Sequence, residues 1–246
     1  MLAIDARSAL LIHALFEMLA IGVGAQLYAR NLRRQGSGSL TSGANFRVAV
    51  GCLVGAIAGS KLAIWLEYPH VMSLYWGSPL LIFTGQSIVG GLIGGLIGVE
   101  IGKRIAGITR STGDAFVMPL IAGIAIGRIG CFLAGLHDDT FGIATSLPWG
   151  VDFGDGIKRH PTQLYDIAFV LTLGALLRWQ RPWLSREPGL EFKWFLAGYL
   201  AWRVGIDSLK PVPFAYIGGL SGIQLLATGF LAVYLPALIR QMRRLA

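Results

Sequence analysis

Seven apolar stretches of roughly 20 residues leave this chain few folds to choose from, because a helix needs about that length to cross the hydrocarbon core of a bilayer. They run over residues 8–29, 46–66, 86–106, 114–136, 162–180, 190–210 and 216–238. Backbone groups in lipid must be satisfied within the segment, which selects helices. The predicted fold is an all-α integral membrane protein, a single transmembrane domain over residues 1–246 with no separate soluble domain. Composition agrees: 14% of the residues are charged and 54% hydrophobic, where soluble domains carry about 25% charged residues. The net charge of +8 does not signal nucleic acid, since so apolar a chain has no solvated basic face to offer. Anionic lipid headgroups are the expected partner instead.

The Lys and Arg residues orient the bundle by the positive-inside rule. Of the 21 present, 14 fall on one side of these spans, 4 on the other and 3 within them. The amino end is therefore expected outside and the carboxyl end in the cytoplasm. His13 and Glu17 interrupt the first stretch, and Arg30, Arg33 and Arg34 follow it, so it is read as a retained span and not a cleaved signal. A Gly- and Ser-rich cytoplasmic linker over residues 36–43 joins the first two spans. Aromatic residues between Trp65 and Trp76, and Trp149, are expected at the membrane interface.

Gly51, Gly55 and Gly59 in the second span, and Gly90, Gly94 and Gly98 in the third, recur every four residues. That spacing lets two helix backbones approach closely. Cys52 and Cys131 lie in apolar helix with no CxxC pattern, and neither a metal site nor a disulfide is expected from them.

Ionisable groups inside a bilayer are costly and mark functional sites. With the spans oriented as above, Arg128, Arg203, His13, Glu17, Gln163, Tyr165, Asp166 and Gln224 all fall in the outer leaflet. Tyr199, Arg203, Asp207 and Lys210 recur at i, i+4, i+8 and i+11, one stripe of a helix. The longest external loop, residues 137–161, carries His137, Asp138, Asp139, Asp152, Asp155, Lys158, Arg159 and His160. Two intramembrane arginines at headgroup depth suit a phosphate, because a guanidinium stays charged and binds two oxygens at once. The residues thus point to a phospholipid-handling site. The alternative is that Arg128 and Arg203 pair with Glu17, Asp166 or Asp207 to hold the bundle. A transporter would place its buried charge near the midplane and show internal repeats, and neither appears here.

VGGLIG at 89–94, PLIAGIAIGRIGCFLAG from Pro119, RHPTQLYD at 159–166, the Tyr199 to Lys210 stripe and SGIQ at 221–224 together resemble the prolipoprotein diacylglyceryl transferase family. The resemblance covers most of the chain in order, and the family shares the seven-span topology. It implies transfer of a diacylglyceryl group from phosphatidylglycerol to the lipobox cysteine thiol of an exported prolipoprotein, in the bacterial plasma (inner) membrane, with release of glycerol phosphate. It implies no cofactor and no metal. The partners are phosphatidylglycerol, the prolipoprotein signal peptide and membrane lipids, with no nucleic acid. By this resemblance Arg128, Arg203, His160 and Tyr199 form the catalytic set, and the two arginines hold the phosphate. Gly90, Gly91, Gln163, Tyr165, Asp207, Lys210 and Gln224 line the substrate site.

The chain also departs from the family pattern. Val89 stands where the HGGL motif has a histidine proposed as proton acceptor. Cys131 and Ala134 replace two asparagines, the LHDDTFG segment after Gly135 is long, and Phe16 stands where a tyrosine is common. His160 or His137 is the candidate replacement base, imidazole being the side chain suited to proton transfer near neutral pH. Asp207 and Glu17 either orient the arginines or serve as structural counter-ions. Two other readings stay open: a phospholipid-dependent transferase with another acceptor or donor, and a lipid-binding membrane scaffold without catalysis.

Overall fold

A computed structural model describes residues 5–36, 41, 43–71 and 85–243. Trp76, Arg244 and most of the 36–43 linker lie outside them. The helices in chain order are α1 (Ala6–Arg34), α2 (Gly43–Glu67), α3 (Ile88–Ala106), α4 (Val117–Ala134), α5 (Thr162–Trp179), the one-turn α6 (Arg181–Leu184), α7 (Leu190–Ile206) and α8 (Gly222–Met242). Among the described residues the only paired strands are β1 (Val151–Asp152) and β2 (Lys158–Arg159). The protein is all-α.

Four helical segments are long and apolar enough to cross a membrane: Ala6–Arg34, Gly43–Glu67, Gly113–Asp138 and Gly222–Met242. The other three expected spans coincide with α3, α5 and α7, of 19, 18 and 17 residues. Large apolar side chains on the outer faces of α1, α2, α3 and α8 are exposed, among them Leu10, Ile21, Leu53, Val54, Ile105 and Val233. So much bare apolar surface on long helices is what a membrane protein presents to lipid.

Helix ends differ from the apolar stretches for local reasons. The stretch expected to continue to Lys210 leaves α-helix at Ile206 and tightens into a 3-10 turn at Asp207–Leu209. Pro211 follows Lys210, and the residue before a proline is disfavoured in the α region. Lys210 is therefore not on the α-helical stripe with Tyr199 and Arg203. The fourth span likewise begins and ends in 3-10 turns, Gly113–Phe116 and Gly135–Asp138.

The chain divides into two compact units. One comprises Met1–Asn31, Thr112–Phe195 and Ser208–Pro211; the other comprises Leu32–Ser111, Leu196–Asp207 and Val212–Ala246.

In the first unit α1 lies along α4. Phe16 covers Gly130 so closely that a Cβ there would meet its side chain, and Tyr28 stacks on Phe116 with ring centroids 4.1 Å apart. Asn31 Nδ2 donates to the Ala115 carbonyl at 2.9 Å. The Asp114 carboxylate accepts from the backbone N–H groups of Gly189 (2.7 Å) and Phe192 (3.0 Å), tying the start of α7 to the turn before α4.

The loop of this unit between α4 and α5 is ordered by backbone hydrogen bonds. Gly142 N–H donates to the His160 carbonyl (2.9 Å), His160 N–H to Ile143 (3.1 Å), Thr145 N–H to Lys158 (2.9 Å) and Ile143 N–H to Leu209 (2.8 Å). Phe153 is buried and meets Phe132 and Phe141 edge-on or tilted. Strands of two residues carry no period-2 signal, so the hairpin was not visible in the sequence.

The second unit is built on the α2/α3 pair. Each of Gly51, Gly55 and Gly59 faces one of Gly98, Gly94 and Gly90, and a Cβ on any of the six would overlap the opposite backbone. The helices therefore meet main chain to main chain, as the four-residue glycine spacing predicts. Ser87 caps α3, its Oγ accepting from Gly90 N–H at 3.3 Å, and Gly107 ends it in the left-handed region at φ 69°. At the start of α8, Ser221 and Gln224 form a reciprocal capping box. Ile223 N–H donates to Glu67 at the end of α2 (2.7 Å), and the Tyr216 hydroxyl donates to the Leu66 carbonyl (2.8 Å).

Candidate functional site

Each unit contains one buried arginine paired with a buried aspartate. In the first unit Arg128, on α4, puts its Nε 2.8 Å from Oδ2 of Asp166 on α5. The arginine is 4% exposed and the aspartate 0%. An ion pair so far from water costs solvation that only good geometry recovers, and removing one partner typically destabilises by about 3–5 kcal/mol. Arg128 Nη1 also lies 3.9 Å from the Cys131 sulfur, one turn on.

Thr162, Gln163 and Asp166 share the buried face of the first turns of α5. Thr162 is held there by its hydroxyl, which donates to the Thr140 carbonyl at 2.5 Å. Gln163 is fully buried, yet neither its amide nitrogen nor its amide oxygen has a hydrogen-bond partner among the described residues. An unpaired buried polar group costs about 1–3 kcal/mol. A buried amide left at that cost beside an ion pair makes Gln163 a candidate to receive a water or a ligand.

His160 and Tyr165 come together over this end of α5. His160 Nδ1 is 3.3 Å from the Tyr165 hydroxyl, which accepts a hydrogen bond from Trp149 Nε1 at 2.7 Å. Indole N–H is a donor only, so the Tyr165 proton is available to donate to Nδ1 when that nitrogen carries none. Trp149, expected as an interface anchor, thus orients a candidate site residue. Nearby in sequence, the exposed Asp155 carboxylate takes two hydrogen bonds of 2.7 Å from the Arg159 guanidinium, which also lies over the Phe141 ring. That bond holds the Asp155 carboxyl below the usual carboxylate range and raises Arg159. Burial pushes the Asp139 carboxyl up.

In the second unit Arg203 and Asp207 form their pair within one helix end, spaced i,i+4. Arg203 Nη2 donates to both carboxylate oxygens at 2.7 and 2.9 Å, and Nε to Oδ2 at 3.3 Å. Tyr199, one turn earlier, is completely buried. The Gln224 amide is held at both ends: Nε2 donates to the Val204 carbonyl (2.9 Å) and Oε1 accepts from Ser221 N–H (3.0 Å). Gly90 is buried against Gly59 and Ala63, whereas Gly91 has more room, the nearest atom to a Cβ there being the Ala56 carbonyl at 3.8 Å. Val89 is 1% exposed in the first turn of α3, an apolar core position that supplies no base. Lys210 is partly buried in the short segment assigned to the first unit.

Glu67 escaped the sequence reading. It closes the amino end of α8, and nothing in its surroundings along the chain marks it out. Asp166 was visible only as one of three possible counter-ions.

The prolipoprotein diacylglyceryl transferase family model matches residues 2–240. A phosphatidylglycerol–prolipoprotein diacylglyceryl transferase of Bordetella parapertussis is 35% identical over 164 residues, 63% of this chain and 60% of that protein. One from Bordetella avium is 32% identical over 183 residues, 71% of this chain and 64% of that protein. One from Geobacter sulfurreducens is 31% identical over 189 residues, covering 69% and 65% respectively. The chain thus spans less than two thirds of the length of these relatives. With a family match over nearly its whole length, the chain belongs to the prolipoprotein diacylglyceryl transferase family.

Proposed function

We propose that this protein transfers a diacylglyceryl group from phosphatidylglycerol to the lipobox cysteine thiol of an exported prolipoprotein, at the outer leaflet of the bacterial inner membrane. The observation that carries this reading is the family match over residues 2–240, on a chain whose Gln163 is buried without a hydrogen-bond partner among the described residues, beside the Arg128–Asp166 pair. The same proposal includes seven spans, with the amino end outside and the carboxyl end in the cytoplasm.

The chemistry asks for three things. The acceptor thiol loses its proton, its sulfur bonds to the glycerol carbon, and the bond from that carbon to the phosphate oxygen breaks. Glycerol phosphate leaves with the bonding electrons, so its growing negative charge needs fixed cations in a dry site. The family resemblance gives that task to Arg128 and Arg203. Asp166 and Asp207 hold the two guanidinium groups in place. Gln163 and Tyr165 contact the donor, and Tyr199, Gly90, Gly91, Lys210 and Gln224 belong to the walls of the substrate site. With Val89 in place of a histidine, His160 takes the thiol proton at Nε2, in the tautomer whose Nδ1–H donates to the Tyr165 hydroxyl oxygen.

The test is expression in cells depleted of their own transferase, followed by mass spectrometry of a lipobox peptide. The expected result is a diacylglyceryl mass shift. A stably inserted protein that produces no shift overturns the proposal and leaves a lipid-binding role. A His160→Gln variant that keeps the full rate across pH removes His160 as the base.

A further inference from the structure

We propose that His13, Cys131 and Asp138 form a binding site for a zinc-type divalent cation. The three belong to one unit, at the outward end of α1, at the last turn of α4 and in the 3-10 turn that follows it. One ligand atom from each, a ring nitrogen, the sulfur and a carboxylate oxygen, all lie within 4.8 Å of one another. This inference is independent of the transfer reaction, since none of the three residues has a part in it as proposed above.

The detailed contacts say which atoms would bind. His13 Nδ1 is 2.7 Å from Asp138 Oδ1, and His13 Nε2 is 3.1 Å from Glu17 Oε1, one turn along α1. A metal-bound histidine usually donates its second ring N–H to a carboxylate, which fixes the tautomer and the ring orientation. Glu17 stands in that outer position, leaving Nδ1 for the ion. Asp138 is itself anchored, because the Thr140 hydroxyl donates to its other oxygen. On the third side stands the Cys131 sulfur, 3.9 Å from Arg128 Nη1, and a metal takes it as the thiolate, so that ion uptake releases the thiol proton.

The donor set selects the ion. One imidazole, one thiolate and one carboxylate suit zinc and its neighbours, not magnesium or calcium, which take oxygen ligands. At metal–ligand distances of about 2.0–2.3 Å, tetrahedral ligand atoms lie roughly 3.3–3.6 Å apart. The Nδ1–Oδ1 pair thus opens by about 0.6 Å on binding and the sulfur closes in. Three protein ligands leave a fourth position for water. His13 retains 29% side-chain exposure, which gives an ion a way in, while Asp138 is 5% exposed. An ion pair between His13 and its two carboxylates needs no thiol; Cys131 is what turns the pair into a coordination sphere.

The experiment uses the full chain in detergent, stripped with chelator and titrated with Co2+, whose tetrahedral thiolate complexes are coloured. The expected result is one ion per chain with a sulfur-to-cobalt charge-transfer band, displaced by stoichiometric Zn2+. Cys131→Ser should abolish the band and Cys52→Ser leave it unchanged. Glu17→Gln should weaken binding by about tenfold or more, the usual effect of losing an outer-sphere partner. Helix content by circular dichroism checks that each variant is folded. Wild-type protein that binds no stoichiometric cobalt, or a band that survives in folded Cys131→Ser, overturns the site.

Discussion

The two buried arginine–aspartate pairs look alike in composition and differ in what they join. Arg203 and Asp207 sit i,i+4 on neighbouring turns, with three guanidinium contacts going to one carboxylate four residues away. Arg128 and Asp166 come from α4 and α5, 38 positions apart, and meet at 2.8 Å. The first pair is set by helix geometry and forms once the helix does. The second exists only after two helices have packed, so it reports on tertiary structure and its rupture leaves a charge stranded between elements. A third pair, Asp155 with Arg159, repeats the four-residue spacing in the open loop and shows what such a contact is without burial.

The comparison breaks first at the arginines. Arg128→Ala and Arg203→Ala should each lower diacylglyceryl transfer by at least about 10²-fold, the cost of losing one charge-stabilising donor, measured on a lipobox peptide with membranes of equal protein content. If both variants remain active, the arginines are structural. Next come the aspartates: Asp166→Asn should destabilise by about 3–5 kcal/mol as a broken buried pair. Asp207→Asn should cost nearer 1.5–3 kcal/mol, the range for a hydrogen bond to a charged group. Unfolding in detergent checks the order, and equal costs would erase the distinction between cross-helix and within-helix pairs.

Gln163→Leu should move the two properties in opposite directions. Replacing a buried amide that has no partner among the described residues with an apolar side chain of similar size should leave stability unchanged or raise it by about 1 kcal/mol, while transfer falls. A variant with undiminished transfer would show that Gln163 does not meet the donor. The smallest effect belongs to the exposed pair. Asp155 has its carboxyl lowered by Arg159, so the contact is fully present above the ordinary carboxylate pKa and is lost as pH falls through the lowered value. The protection of amides in the β1–β2 hairpin, corrected for intrinsic exchange at each pH, should therefore be unchanged from neutral pH to about pH 5 and weaker in strong acid. Asp155→Asn should remove that acid dependence.

Much of this was legible from the chain alone, for identifiable reasons. The long helices follow from apolar runs of membrane length, and the α2/α3 packing from glycine spaced by four. Arg203 and Asp207 could be put on one stripe because helical spacing fixes which residues share a face, although their pairing stayed one of three alternatives. Spacing offers nothing equivalent for Arg128, which had Glu17, Asp166 and Asp207 as candidates until α5 was placed beside α4. Gln224 carries a local signal as well: the Ser221–Gln224 spacing is that of a capping box, and the structure forms it. His13, Cys131 and Asp138 carry no short-range pattern, since 118 positions separate the first two, and only the packing of α1 along α4 unites them.

The α2/α3 contact also has a consequence for heredity. Every glycine codon, altered at its first or second base, specifies a residue with a Cβ or a stop. At Gly51, Gly55, Gly59, Gly90, Gly94 and Gly98 a Cβ would overlap the facing backbone, so a single-base change there offers the gene no gentle step. Such a stretch has little room to vary even if none of its residues takes part in chemistry, because there are no side chains to exchange.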